Sequence, residues 1–187
     1  MNIGWLYENW AKFCLILSII VTIIIFLFVK TNNIFLFLIW IQIPIYLLHQ
    51  FEEHEWPGGF KKFFNKEIFN VEDREYPLNN KYIFWINIPI IWFLMPLFAS
   101  FSYFNLFWGL WIPYFALFNS LTHVFAAIVK RKYNPGLFIS LLLGIPVSIY
   151  TLWIFYSLIN IPTLITGFSI LVVILLHATL IFTVLKK

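Results

Sequence analysis

Six apolar runs of about 20 residues, joined by mostly short polar connections, constrain the fold of this chain more than any other feature. Each run is bounded by charged or turn-forming residues. The runs lie at residues 10–29, 34–53, 83–101, 106–129, 137–158 and 164–185. An α-helix rises about 1.5 Å per residue, so each run is long enough to cross the hydrocarbon layer once. The sequence predicts an all-α membrane protein, one integral domain built as a bundle of six transmembrane helices.

The composition excludes the soluble classes. Of 187 residues, 62% are hydrophobic and 11% are charged, whereas a soluble domain is roughly half apolar and a quarter charged. The only cysteine, Cys14, cannot form an intrachain disulfide. The first run is too long for a cleavable signal peptide and is expected to be retained. The net charge of +4 comes from residues at the ends of runs, which indicates membrane topology and no binding of nucleic acid.

The basic residues are divided very unequally between the two faces that six spans define. Lys30 is alone on one face, and the other eleven lie opposite: Lys12, Lys61, Lys62, Lys66, Arg74, Lys81, Lys130, Arg131, Lys132, Lys186 and Lys187. Because basic loops stay on the cytoplasmic side, both termini are predicted to be cytoplasmic. The abundance of Phe, Ile, Asn and Lys suggests an AT-rich bacterial source, so we expect a multi-pass protein of the bacterial cytoplasmic membrane.

One connection, about residues 55–81, is long enough to hold further structure. Apolar and basic side chains within it fall on opposite helical faces. The apolar set is Phe60, Phe63, Phe64 and Ile68, and the basic set is Lys61, Lys62 and Lys66. This pattern predicts a short interfacial helix between the second and third spans. It is interpreted as a lipid anchor in preference to a lid over a site at the membrane surface.

Ionisable side chains are concentrated at the end of the second span, in the sequence His49-Gln50-Phe51-Glu52-Glu53-His54-Glu55. Residues three and four apart share a helical face, so His49 projects beside Glu52 and Glu53. An imidazole one turn from a carboxylate suits a divalent metal or a proton-transfer pair. A solvated acidic helix end is the alternative interpretation.

The fourth span places a second histidine at the same depth. Asn119 and His123 are four residues apart and share a face. His49 and His123 each lie about 10 Å inside the cytoplasmic boundary if the spans are helical. This coincidence favours a joint site over simple polar packing between helices. His177, in the sixth span, has no polar neighbour at helical spacing and is interpreted as a core histidine.

A turn follows on the same face, in the sequence Tyr133-Asn134-Pro135-Gly136. Asn134 suits the N-cap of the fifth span, and Pro135 suits its first turn. A helix start beside Lys130, Arg131 and Lys132 can hold an anionic group, although topology-setting charge is the simpler interpretation of the three basic residues.

These three clusters together resemble the HXXEE family of small integral membrane proteins. The family is marked by H-x-x-E-E, N-x-x-x-H and Y-x-P-G motifs in this order. They stand here as His49 to Glu53, Asn119 to His123 and Tyr133 to Gly136. The resemblance implies an enzymatic active site at these residues and implies no particular reaction.

The leading hypothesis is a membrane-embedded enzyme, with hydrolysis as the simplest reaction. His49, His123 and one of the two glutamates, assigned as Glu53, bind a divalent metal such as zinc or iron. The other glutamate, Glu52, is the general base, and Asn119 orients His123 or polarises a carbonyl. The substrate is a lipid or another membrane-associated, lipid-like or anionic molecule. Residues expected to cap it or to act as accessories are Tyr133, Asn134, Pro135, Gly136 and His54.

Two other classes remain open at this stage. In a small proton- or ion-coupled transporter, the same histidines and glutamates would relay protons, but the outer halves of the spans carry few polar residues. In a non-catalytic assembly protein, the polar residues would only pack helices together.

Overall fold

A computed structural model describes residues 3–29, 33–72 and 75–185, with the backbone alone at 180 and 183–185. Within these ranges the chain forms eight helices and no strand. They are α1 (Ile3–Asn9), α2 (Lys12–Val29), α3 (Ile34–His54), α4 (Phe60–Phe63, continued by Phe64–Ile68), α5 (Asn80–Phe101), α6 (Leu106–Lys130), α7 (Leu137–Leu158) and α8 (Thr163–Leu185). Lys30, Arg74, Lys186 and Lys187 of the charge count lie outside the described residues.

Five of the helices, α2, α3, α5, α6 and α7, are long and apolar enough to cross a membrane. The predicted all-helical fold is therefore confirmed, and these five helices are the candidate spans of a multi-pass membrane protein. The helix α8 has 23 residues, and the stretch Thr163–Thr179 within it is apolar. The sixth span and the orientation of the termini stay predictions.

Asparagines define where three of these helices begin. Asn33, Asn79 and Asn105 precede α3, α5 and α6, and each side chain accepts a backbone N–H of the following turn. The first N–H groups of a helix have no partner within the helix, so a short amide side chain stabilises the start. Each of these caps lies at the start of a helix that is a candidate membrane span.

The central helix of the bundle is α3. In its most apolar 18-residue window, 61% of the residues are buried, against 22–33% in the other four candidate spans. The adjacent α2 packs against it in the opposite direction. Cys14 contacts Gln50 at 3.6 Å, and the Ser18 hydroxyl donates to the Pro44 carbonyl at 2.9 Å.

The other side of α3 packs against α7, again in the opposite direction. Ser140, near the start of α7, lies 3.4 Å from His49, and Thr151 accepts a hydrogen bond from Gln42 at 2.9 Å. The helix α5 is joined to α3 by a hydrogen bond from the Gln50 amide to the side-chain oxygen of Asn87 on α5. Because α3 is enclosed on several sides, polar side chains at its end are held inside protein and away from lipid.

The short helix predicted between the second and third spans is present as α4, and its interfacial position stays a prediction. Asn65 on α4 is buried, and its side chain both donates to the Leu78 carbonyl and accepts from the Leu78 N–H, each at 2.9 Å. This pair of hydrogen bonds ties α4 to the segment just before α5. A further short helix that the sequence did not predict, α1, packs on α5 through the rings of Tyr7 and Phe84.

We expect Gly109→Ala to destabilise the bundle. A Cβ at Gly109 would lie 2.9 Å from two methyl carbons of Ile39, a fully buried residue of α3. Overpacking of this kind costs about 1–3 kcal/mol. Thermal unfolding in detergent would measure the loss. Gly167→Ala is the matched control, because no atom lies within 4 Å of that Cβ; equal midpoints for both variants would contradict the packing described here.

Candidate metal centre

Three buried side chains that the sequence singled out meet between α3 and α6. They are His49 and Glu53, one helical turn apart on α3, and His123 on α6, with 3%, 7% and 5% of their surfaces exposed. One ligand atom from each lies within 4.8 Å of the others. Nε2 of His49 is 3.6 Å from one Glu53 oxygen, and Nε2 of His123 is 3.7 Å from the other. The second and fourth predicted spans are therefore in contact at this layer.

The side chain of Asn134 fixes the orientation of the His123 ring. Its Nδ2 donates to the His123 backbone carbonyl at 2.8 Å, so its Oδ1 is the atom 2.6 Å from His123 Nδ1. An amide oxygen only accepts, so Nδ1 carries the hydrogen and Nε2 keeps its lone pair. That lone pair is on the ring edge nearest Glu53.

The backbone carbonyl of Gly136, in the loop before α7, fixes the orientation of the His49 ring. Nδ1 of His49 donates to this oxygen at 3.1 Å, which leaves the lone pair on Nε2. Ser140 donates to the same carbonyl at 2.7 Å. The Asn119 amide lies 3.1 Å from His49 Nε2 and donates to it. The expected contact of Asn119 with His123 is wrong: the two histidines have different partners, Asn119 for His49 and Asn134 for His123.

A third imidazole, that of His54, reaches the same carboxylate. Its Nε2 lies 3.3 Å from Glu53 Oε2, so three histidines surround Glu53. The His54 ring packs against Trp10, in the turn between α1 and α2, at a centroid distance of 5.2 Å. His54 thus borders the centre, outside the group of three ligands.

Glu52 faces a different neighbour from Glu53, because adjacent helical residues point about 100° apart. Its carboxylate accepts the backbone N–H groups of Phe138 and Ile139, at 2.9 and 2.7 Å, and the hydroxyl of Tyr133 at 2.7 Å. A buried carboxylate at the first turn of α7 satisfies unpaired N–H groups and the positive end of the helix dipole. These three hydrogen bonds weigh against its predicted role as general base.

The Tyr133 phenol, in the loop before α7, is a donor to Glu52. Desolvation and this hydrogen bond raise the pKa of Tyr133 well above its ordinary value. The hydroxyl therefore keeps its proton at physiological pH.

The Y-x-P-G turn differs in detail from its predicted form. The helix α7 begins at Leu137, and Asn134 is not its N-cap. Asn134 and Pro135 are both buried, and the asparagine side chain is used for His123. Gly136 has φ +99°, and a Cβ there would lie 2.6 Å from His49 Cε1 and 2.7 Å from His123 Cε1. Glycine is required by the backbone and by the space between the imidazoles.

The helix α4 covers the centre. The ring of Phe60 lies 6.0 Å from that of His54 and 5.7 Å from that of His123. The Lys132 ammonium contacts both oxygens of Glu67 at 3.0 Å, which joins α4 to the loop before α7. With Phe60 turned toward the centre, the geometry favours the lid interpretation over the lipid anchor.

Sequence reasoning missed two residues near the centre. Tyr46 packs on His49 at a ring distance of 5.3 Å, and Ser140 lies 3.4 Å from His49 Nδ1. Tyr46 precedes His49 by three residues, so helical spacing contained the signal. No spacing relates Ser140 to α3.

His177, interpreted as a core histidine, packs against Phe115 and Phe118 and donates to its own helix.

A family model described as "Protein of unknown function with HXXEE motif" matches residues 40–151, more than half of the chain. The chain belongs to the HXXEE family. No curated protein and no solved structure matches the chain. The matched residues include α4, α5 and α6, all but the beginning of α3 and the first two thirds of α7. The HXXEE match therefore covers every side chain of the centre.

We expect Gly136→Ala to destabilise the protein by more than the strain of a left-handed backbone at alanine. Gly59 has a similar φ of +92° but no atom within 4 Å of its Cβ position, so Gly59→Ala carries only the strain of the left-handed backbone, about 1–2 kcal/mol. The alanine at Gly136 adds the collision with two imidazoles. Thermal midpoints in detergent should fall clearly further for Gly136→Ala; equal shifts would show that the histidines are not packed against this glycine.

Proposed function

We propose that the protein is a membrane-embedded, metal-dependent enzyme that acts on a lipid or another membrane-associated substrate. The observation that carries this proposal is the orientation of the two buried imidazoles. Both Nδ1 atoms are hydrogen-bonded to loop oxygens, so both Nε2 lone pairs are directed toward the Glu53 carboxylate. Metal-binding histidines characteristically donate their other ring nitrogen in this way. The His49 lone pair accepts the Asn119 amide, which a bound ion would displace.

The spacing and chemistry of the three side chains fit a divalent ion. Zinc lies about 2.0–2.2 Å from nitrogen and oxygen ligands, so neighbouring ligand atoms on one ion are about 3–4 Å apart. The His–Glu distances of 3.6 and 3.7 Å are in this range. Two histidines and one carboxylate are a catalytic zinc set and also a non-haem iron set, both with open positions. Zinc or iron is therefore the expected cofactor.

The residues around the centre suit hydrolysis. A bound divalent ion would polarise a carbonyl or phosphoryl oxygen and acidify its water. Asn119 would exchange its hydrogen bond to His49 for one to the substrate oxygen, since the His49 lone pair is needed for the ion. The third imidazole, that of His54, lies 3.3 Å from a Glu53 oxygen and would accept a proton. Glu52 and Tyr133 act as positioning residues that hold the Gly136 loop in place.

We further propose six spans, with both termini and the metal centre on the cytoplasmic side of a bacterial membrane. The opposite directions of α2 and α3, and of α3 and α7, support this arrangement, as does the apolar character of α8. Exposed Lys62, on α4, and Arg131, just after α6, lie at the centre's end of the bundle, which is the predicted cytoplasmic end.

The transporter alternative has less support. Gln42, in the outer part of α3, donates to Thr151 and to the Leu38 carbonyl and accepts from Ser148. These polar groups satisfy one another, as interhelical packing requires, and offer no obvious route for a proton.

Metal content tests the proposed function. Protein purified in detergent should hold near-stoichiometric zinc or iron by elemental mass spectrometry, and His49→Ala, His123→Ala and Glu53→Gln should each lose it. Asn134→Ala should weaken metal affinity about 10–100-fold, because it releases the His123 ring.

Two variants serve as controls for that measurement. His177→Ala removes a histidine outside the centre and should keep the metal. Glu52→Gln distinguishes a positioning residue from a ligand: it should lower the unfolding midpoint and weaken metal affinity, whereas loss of a ligand should abolish binding. Native protein that binds no metal even after incubation with zinc or iron would overturn the proposal.

Cysteine labelling tests the orientation. In a Cys14→Ala background, Lys62→Cys should react with a membrane-impermeant maleimide only after cells are opened. Asn160→Cys, exposed in the loop between α7 and α8, should react on intact cells. The reverse pattern would place the centre on the outer side.

A further inference from the structure

We infer that the substrate of this centre is an amphiphile whose hydrocarbon chain lies in a cavity between α3, α5 and α6. The inference rests on the proposed function for its reactive end, but the cavity itself is independent of any metal. Its volume is about 130 Å³. The lining residues are Tyr46, Glu53, His54, Phe60, Phe64, Leu78, Ile83, Ile86, Asn87, Ile90, Ile91, Phe115, Asn119 and Ile181.

The polarity of the cavity is divided between its ends. Glu53, His54 and Asn119 are at the end that meets the metal centre. Away from the centre, the wall is made by aliphatic residues of α5, such as Ile90 and Ile91, and by a phenylalanine of α6. A molecule with one polar, reactive end and one apolar end matches this division.

Asn87 is the polar exception in the aliphatic wall, and its side chain is already engaged. Its Oδ1 accepts from Gln50 at 3.1 Å, and its Nδ2 donates to the Ile83 carbonyl at 2.9 Å. It therefore offers little to a polar ligand. The wall presents an apolar surface to whatever enters.

The size of the cavity limits what it holds. An apolar cavity of about 150 Å³ stays dry and binds a benzene-sized molecule, so this one accommodates about six carbon atoms. Each buried methylene contributes about 0.8 kcal/mol. The first carbons of an acyl chain, next to the reactive group, fit this cavity. A small polar metabolite would leave the aliphatic wall without apolar contacts.

A second cavity gives access from the membrane. It has a volume of about 330 Å³ and lies between α4 and α6, and it shares Glu53, Phe60 and Asn119 with the first. Phe125 and Val129 line it and are 69% and 56% exposed on the outer surface of the bundle.

The basic residue Lys130 also lines this second cavity, at the end of α6. An amphiphile in the inner leaflet can therefore enter past α4, with its chain going to the aliphatic wall. An anionic headgroup would stay near Lys130, where basic side chains favour it. The reactive bond would then lie between chain and headgroup, beside Glu53.

Photo-crosslinking tests this arrangement with a defined probe, a 16-carbon fatty acid that carries a diazirine on its sixth carbon. The purified full-length protein in detergent is irradiated with the probe, and the labelled residues are mapped by mass spectrometry. We expect label on Ile86, Ile90, Ile91 or Phe115.

A matched pair of variants gives the control. Ile91→Trp fills the cavity and should reduce that label by about tenfold or more, equivalent to losing about two buried methylenes. Ile174→Trp alters a lipid-facing groove of α8 and should leave the label unchanged. Ile86→Phe is a smaller filling substitution, used if Ile91→Trp does not fold.

The outcomes separate this inference from the proposed function. Label confined to outward residues that line neither cavity, such as Trp153 and Leu175, or label insensitive to cavity filling, would overturn the chain site whatever the metal content. Specific label in the cavity of a protein that binds no metal would support the chain site and overturn the metal-dependent mechanism.

Discussion

The carboxylate of Glu52 is the contact on which the rest of the centre depends. It joins the end of α3 to the first turn of α7 by accepting two backbone N–H groups and the Tyr133 hydroxyl. This contact holds the preceding turn against the two histidines, where Gly136 and Asn134 accept their Nδ1 hydrogens. The H-x-x-E-E and Y-x-P-G motifs are thus parts of one structural unit.

A buried polar centre within a membrane bundle requires a partner for each of its groups, because lipid offers none. For His49, His123 and Glu52, the chain meets this requirement with backbone, amide and hydroxyl groups from α6, α7 and the loop between them. The consequence is chemical as well as structural: satisfying Nδ1 of each imidazole leaves Nε2 beside Glu53. The hydrogen bonds that satisfy Nδ1 of each histidine inside the bundle also direct both Nε2 lone pairs toward Glu53.

The helix α4 and two cavities connect this site with the outer surface of the bundle. Phe60 on α4 packs over the histidines and borders both cavities. One cavity has an aliphatic wall inside the bundle, and the other opens among outward-facing side chains of α6. In the proposed orientation, a centre near the membrane surface with apolar space beside it would suit molecules that are already dissolved in the bilayer.

The sequence by itself determined the helices and the layer of the site. Runs of apolar residues specify spans locally, and the fixed rise per residue places His49 and His123 at one depth. The sequence could not determine which polar side chains within that layer contact one another. Which asparagine contacts which histidine, and where Ser140 and Phe60 lie, depend on helix rotation and packing, which involve residues distant in the chain. Those choices were made only by the tertiary structure.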